Sequence, residues 1–150
     1  MRVGWVVAAR DHIEIFRNYS SFAMGGVSRA SQIYVTELLQ RERVRQARTA
    51  IARFYSNQRA RYGEGLRSLG LELFTGDGGF YHWAQLPGGL TGDAFNDRLF
   101  AHDAGILPGR LCDMARRGDE GPLADMFRFS FGPLGPDSYA DDMAILARCV

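Results

Sequence analysis

An α/β fold is the expectation, and three features of the sequence carry it. From residue 73 onward the order reads strand, helix, strand, loop, strand, helix. A single amphipathic stretch over residues 41–69 is long enough for one extended helix. The first forty residues supply an apolar strand and two helices but not the rest of a sheet. A chain of 150 residues suits a single domain, and folding at that size buries roughly 68–70% of the surface the unfolded chain exposes. The apolar share of 46% and charged share of 23% are ordinary globular usage, so neither disorder nor a fibrous class is indicated.

The elements follow in order. Residues 3–8 (VGWVVA) are apolar at odd and even positions alike, the pattern of a strand covered on both faces. Asp11 followed by Glu14 reads as an N-cap with a capping box, opening a short helix through Ile13, Ile15 and Phe16. Gly25-Gly26 breaks the chain, and Ser28 caps a helix whose Ile33, Leu38 and Leu39 form a stripe expected to be buried. In the long helix Val44, Ala47, Ile51, Phe54, Gln58, Tyr62, Leu66 and Leu69 recur at steps of three and four. At 1.5 Å per residue it spans roughly 40 Å, a length suited to bridging two layers or domains. Gly63 and Gly65 weaken its last turns, and Gly70 is a natural stop.

Residues 75–79 (TGDGG) form a hairpin turn; they precede a strand rather than a helix, which removes the dipole argument for phosphate binding. Residues 80–86 are a strand ended by Pro87-Gly88-Gly89, and Thr91 opens a helix carrying Phe95, Leu99 and Phe100. Ile106 and Leu107 make a short strand before Pro108-Gly109, residues 110–125 read as a loop, and residues 126–131 are a strand. Ser138 with Asp141 starts the C-terminal helix through Met143, Ile145 and Leu146.

Composition narrows the function. All 18 basic residues are arginine, and the sequence has no lysine, so only a free N-terminal amine could form a Schiff base with an aldehyde. Between Arg41 and Arg67 eight arginines face two glutamates, yet the net charge is only +1, which reads as a solvated arginine face with no nucleic-acid or membrane partner. No apolar run is long enough to cross a bilayer and no signal-peptide pattern opens the sequence, pointing to the cytoplasm. Cys112 and Cys149 have no metal-type spacing and read as free thiols. His12, His82 and His102 likewise show none, so no metal site is expected. His82, beside Trp83 on a strand, is either a substrate contact or a packing residue.

In the stretch MFRFSFG, period-two geometry sends Phe127, Phe129 and Phe131 to one face and Met126, Arg128 and Ser130 to the other. A guanidinium on a rigid strand can hold a carboxylate by two parallel hydrogen bonds, and an arginine on a sheet face can equally be solvated or ion-paired.

The succession RVGWVVA, GGVSRASQ, GGFYHWAQLP, GILPG and FRFSFG, in this order and at these separations, resembles the C-terminal half of pyridoxal-phosphate-dependent aminotransferases of fold type I, class I/II. The resemblance covers essentially the whole chain. It implies that residues 1–40 are the C-terminal remnant of the large cofactor-binding domain. Residues 41–150 would then be the interdomain helix and the small C-terminal domain, with a short, mostly antiparallel sheet packed by helices. In that family the cofactor lysine precedes a G-x-R-x-G segment, whose end Arg2-Val3-Gly4 matches, so Arg2 takes the place of the arginine on the cofactor phosphate. Arg128 takes the place of the arginine that grips the substrate α-carboxylate. Gly79 and Phe80 match the opening of the small domain's sheet, and Pro108-Gly109 the loop near the substrate entrance.

The resemblance implies that the chain begins inside a motif of a larger enzyme, whose lysine, pyridine-nitrogen acid and stacking aromatic lie upstream. The expectation is a portion of a dimeric or otherwise homo-oligomeric enzyme using pyridoxal 5'-phosphate, acting on an amino acid and a 2-oxo acid. Its partner would be an N-terminal large-domain segment. With no catalytic lysine the chain is expected neither to hold the cofactor nor to transaminate by itself. A non-catalytic remnant or assembly module of the same fold, or part of a lyase or cyclase of the superfamily, are the alternatives.

Overall fold

Residues 3–150 are described by a computed structural model. Its contacts divide the chain into two units, Met1–Ala50 and Ile51–Val150. The described residues include no helix long and apolar enough to cross a membrane.

In the first unit, helix α1 runs over Arg10–Met24 and helix α2 over Arg29–Leu38. The capping box expected at Asp11 and Glu14 does not form: α1 starts earlier, with Ala9 as its N-cap and no side-chain cap hydrogen bond. Asp11 sits inside the first turn, where its charge still suits the positive end of the helix dipole. Glu14 instead lies 3.6 Å from the Arg10 guanidinium. The helix continues past Phe16 because nothing before Gly25, at φ 66°, takes the left-handed conformation that ends it. Ser28 caps α2 as expected, its hydroxyl accepting from the Ser31 amide at 3.2 Å.

Two further expectations for this unit are corrected. The stripe of α2 is exposed, with Ile33, Leu38 and Leu39 each more than half open to solvent. Residues 3–8 form no strand: no described segment pairs with them, and Val7 is 90% exposed. An isolated extended segment leaves its backbone groups to water, so the apolar pattern alone makes no ladder.

Helix α3 spans Arg41–Ser68 without a break. Its C-terminal half buries Gln58, Tyr62, Gly63, Gly65 and Leu66. The two glycines allow close packing: a Cβ on Gly65 would lie 2.7 Å from the Tyr139 hydroxyl and 2.8 Å from the Met143 sulfur. At the helix end Gly70 takes φ 84°, and the Gly70 and Leu71 amides donate to the Arg67 and Leu66 carbonyls at 3.0 and 3.3 Å.

Beyond α3 lies a four-stranded sheet. Strands β1 (Glu72–Leu73), β2 (Tyr81–Gln85), β3 (Leu107–Pro108) and β4 (Met126–Ser130) are arranged β1-β2-β4-β3, with every pairing antiparallel. The hairpin turn between β1 and β2 is held from α3, where the Arg59 guanidinium donates to the carbonyls of Gly76 at 2.7 Å, Gly79 at 2.8 Å and Gly78. Helix α4 (Gly92–Phe100) is capped by Thr91, and helix α5 (Tyr139–Cys149) closes the chain. Ser138 does not cap α5 through a backbone amide; its hydroxyl lies 2.7 Å from Asp142 Oδ2.

One core unites this unit. Phe127 and Phe129 on one face of β4, with Phe131 just past its end, cluster with Tyr62 and Leu66 of α3, Phe95 and Leu99 of α4 and Leu146 of α5. The Tyr62 hydroxyl donates to Asp142 at 2.6 Å, and burial pushes its pKa up to about 12. Every buried side-chain polar atom among the described residues has a hydrogen-bond partner.

Candidate functional site

The alternation that sends the phenylalanines of β4 into the core leaves Arg128 exposed on the opposite face of the sheet. Strand β4 is interior to the sheet, and Arg128 is in register with Trp83 of β2 and Leu107 of β3. Its backbone is thus bracketed by two neighbours. No described carboxylate lies within 4.0 Å of its guanidinium, so the fork is unclaimed by an ion pair. The guanidinium carbon instead sits 5.3 Å from the centroid of the Tyr81 ring, on the same face of β2. Tyr81 was not singled out by the sequence reading, although parity with Trp83 places it on that face.

Arg2 lies outside the described residues. Its role on a phosphate is therefore carried by the resemblance alone.

His82 is not on the arginine's face. It is 2% exposed on the core side, with Nε2 3.0 Å from the Arg59 carbonyl and Nδ1 3.1 Å from the Thr75 hydroxyl. A neutral ring that donates from Nε2 and accepts at Nδ1 satisfies both contacts. Burial, the largest cause, holds its pKa below the ordinary 6.5. The packing alternative is thus the one the geometry supports. Below pH 6.5 the unfolded chain takes up a proton that the folded chain refuses, so this contribution to stability is complete above that pH and shrinks as pH falls. Urea melts at pH 7.5 and 5.5 should show the loss, and His82→Gln should remove the His82 part of the difference; an unchanged pH dependence in the variant would contradict the assignment.

The loop that follows Pro108-Gly109 is more ordered than its composition suggests. It contains 3-10 turns over Gly109–Cys112 and Gly118–Glu120. Asp113 is its organiser, accepting from the Ala115 and Arg117 amides and twice from the Arg117 guanidinium, all at 3.0 Å. The Arg117 guanidinium beside it, reinforced by the amides, holds its carboxyl well below the usual carboxylate range. The loop is tied to the sheet where the Leu86 amide donates to the Asp125 carbonyl at 2.9 Å, and to α4 where the Gly92 amide donates to that of Ala124 at 2.7 Å.

Gly109 is buried, and a Cβ there would strike the carbonyls of Leu123 and Met126, the latter at 2.7 Å. A main-chain clash cannot be relieved by a side-chain rotation. Gly109→Ala is therefore expected to destabilise the second unit by about 1–3 kcal/mol, read as a lower urea midpoint with an unchanged slope; a neutral outcome would show that the turn has room to shift.

Beside the site, where β3 stops short of the end of β4, lies a cavity of about 420 Å³. Ile106, Leu134 and Ile145 make its apolar wall, and Arg128, Ser130 and Asp142 lie on its border. No group of three or more potential metal ligands occurs among the described residues. Cys112 is exposed and Cys149 buried, both as free thiols.

The family model for aminotransferase class I and II matches residues 1–138. The LL-diaminopimelate aminotransferase of Halothermothrix orenii is 31% identical over 99 residues, which is 66% of this chain and 25% of that protein. Among solved structures, the α-aminoadipate aminotransferase of Thermus thermophilus, in complex with N-(5'-phosphopyridoxyl)-L-leucine, aligns with TM-score 0.74 at 21% identity, over 95% of this chain and 36% of that one. The valine-pyruvate aminotransferase of Salmonella typhimurium gives TM-score 0.75 at 17% identity, over 95% of this chain and 38% of that one. An aminotransferase from Mycobacterium tuberculosis gives 0.70 at 25% identity, over 97% of this chain and 35% of that one. The chain spans a quarter of the curated relative's length and a little over a third of these solved enzymes.

No side-chain amine is present to hold pyridoxal phosphate covalently. The 150 residues contain no lysine, and the face around Arg128 offers a guanidinium, a hydroxyl and two aromatic side chains but no amine.

Proposed function

The chain belongs to the aminotransferase class I and II family, and on that footing we propose that it is the carboxylate-binding C-terminal portion of an enzyme moving an amino group between an amino acid and a 2-oxo acid. The observation that carries this reading is Arg128, an exposed guanidinium on an interior strand with no described carboxylate of its own. The two substrate types differ at the α-carbon and share the α-carboxylate, so one planar fork serves both halves of the exchange.

In this reading residues 1–40 belong to the large cofactor domain and residues 41–150 comprise the interdomain helix and small domain. Arg2 contacts the cofactor phosphate, and the amine chemistry belongs to a lysine-bearing segment other than this one. The enzyme works in the cytoplasm as a homo-oligomer, which agrees with the exposure of Trp5, Val7, Phe16 and Phe22 in the first unit. The absence of lysine also favours a second reading, an assembly module of the same fold that binds substrate-like carboxylates without turning them over.

The test titrates the chain with 4-methyl-2-oxopentanoate and follows the amide signals of β4 by NMR. Saturable shifts centred on Arg128 are expected, weakening as salt is added; their absence at saturating concentration would overturn the carboxylate role. In parallel, the chain supplied with pyridoxal phosphate, leucine and 2-oxoglutarate is expected to give no turnover, and turnover would refute the dependence on a second segment. Addition of a lysine-bearing segment that restores turnover separates the first reading from the second.

A further inference from the structure

Resting on the carboxylate role of Arg128, we infer that Tyr81 is a positioning residue that presents the guanidinium edge-on to its ligand. The two side chains are diagonal neighbours: Tyr81 is in register with Ser130, and Arg128 with Trp83, two residues along the same strand. The ring lies under the guanidinium at 5.3 Å. A stacked aromatic uses the face of the guanidinium plane, whereas a carboxylate takes two N–H donors at its edge. The two interactions do not compete, so the ring can fix the plane while both donors stay open.

The ring is itself braced. Phe80 meets it edge-on, with centroids 5.6 Å apart and an interplanar angle of 88°, and Phe80 in turn lies 6.0 Å from Tyr55 of α3. Phe80 is held by its carbonyl, which accepts from the Phe131 and Gly132 amides at 3.1 Å each. Its ring lies over Gly132, where a Cβ would approach to 2.9 Å. The platform under Arg128 is thus tied to the end of the strand that carries Arg128. Trp83, half-buried, is in register with Arg128 and shares its face of the sheet. An arginine stem loses rotamer freedom when fixed, and a fork already oriented gives up less of it when the ligand arrives.

Side-chain NMR of the full chain tests this in two steps. In the free protein, rotation about the Arg128 Nε–Cζ bond is expected to be slow in wild type and Tyr81→Phe and faster in Tyr81→Leu. With 4-methyl-2-oxopentanoate as the probe, Tyr81→Phe should bind like wild type and Tyr81→Leu about two- to fivefold more weakly, the range of an exposed cation–π contact. Tyr81 is 42% exposed and outside the core, so the fold should survive; Tyr81→Gln repeats the measurement if leucine alters the sheet. Equal rotation rates in wild type and Tyr81→Leu would overturn the inference, whether or not the probe binds. A loss of ring dependence confined to binding would do so as well. Wild-type affinity in Arg128→Gln would instead sink the carboxylate role and leave the stacking intact.

Discussion

Phe127→Ala is expected to lower the stability of the second unit by about 3–5 kcal/mol, against the 5–15 kcal/mol or so available to a whole domain. The ring is fully buried and lies 5.1 Å from that of Phe95 on α4. The loss belongs at the upper end of the range because the site cannot collapse. Phe127 is in register with Ala84 on one side and Pro108 on the other, two short side chains, the first on a strand laddered on both sides and the second on the edge strand laddered to β4. Neither reaches the space the ring vacates, and a residual cavity adds to the lost transfer energy. Phe127→Leu keeps most of the volume and should cost less than half as much. Combining Phe127→Ala with Phe95→Ala should be less damaging than the two separate losses added, since each removes the same ring pair. Urea unfolding followed by tyrosine and tryptophan fluorescence measures all three, and a Phe127→Ala loss below about 1 kcal/mol would mean that the sheet and α4 close over the gap.

The parts of this fold legible in the sequence are those set by local pattern. Helix α3 carries its own periodicity and a glycine stop, Ser28 and Thr91 cap through their own hydroxyls, and the alternation of residues 126–131 tells which face each side chain takes. That alternation was enough to put Arg128 on the open face. The rest depends on partners far along the chain. Residues 3–8 have the composition of a doubly covered strand, and composition cannot supply the neighbours that would make them one. Strand β1 is two residues long and exists only through its ladder with β2. Asp113 is the missed local signal: an aspartate two and four residues ahead of amides it can accept from, followed by an arginine on the same turn, is a recognisable loop organiser. Tyr81 was on the arginine's face by parity, but its closeness to Arg128 required the β2–β4 register, fixed by a helix, a short strand and a long loop between them.

That register also governs the second large effect. Arg128→Gln is expected to weaken binding of 4-methyl-2-oxopentanoate by about 10- to 100-fold, the worth of a hydrogen bond to a charged group at roughly 1.5–3 kcal/mol. Arg128→Lys distinguishes charge from shape. Lysine restores the cation, but its compact ammonium cannot present two parallel donors to the carboxylate plane, and it stacks on the Tyr81 ring less well. If the fork is what the strand presents, the lysine variant should recover only part of the affinity. It should also depend more steeply on ionic strength, because an unoriented point charge relies on long-range attraction that salt screens. The side chain is exposed and outside the core, so both variants should unfold within about 1 kcal/mol of wild type. Full recovery by lysine would reduce Arg128 to a source of positive potential, and retention of binding by the glutamine variant would remove it from the site altogether.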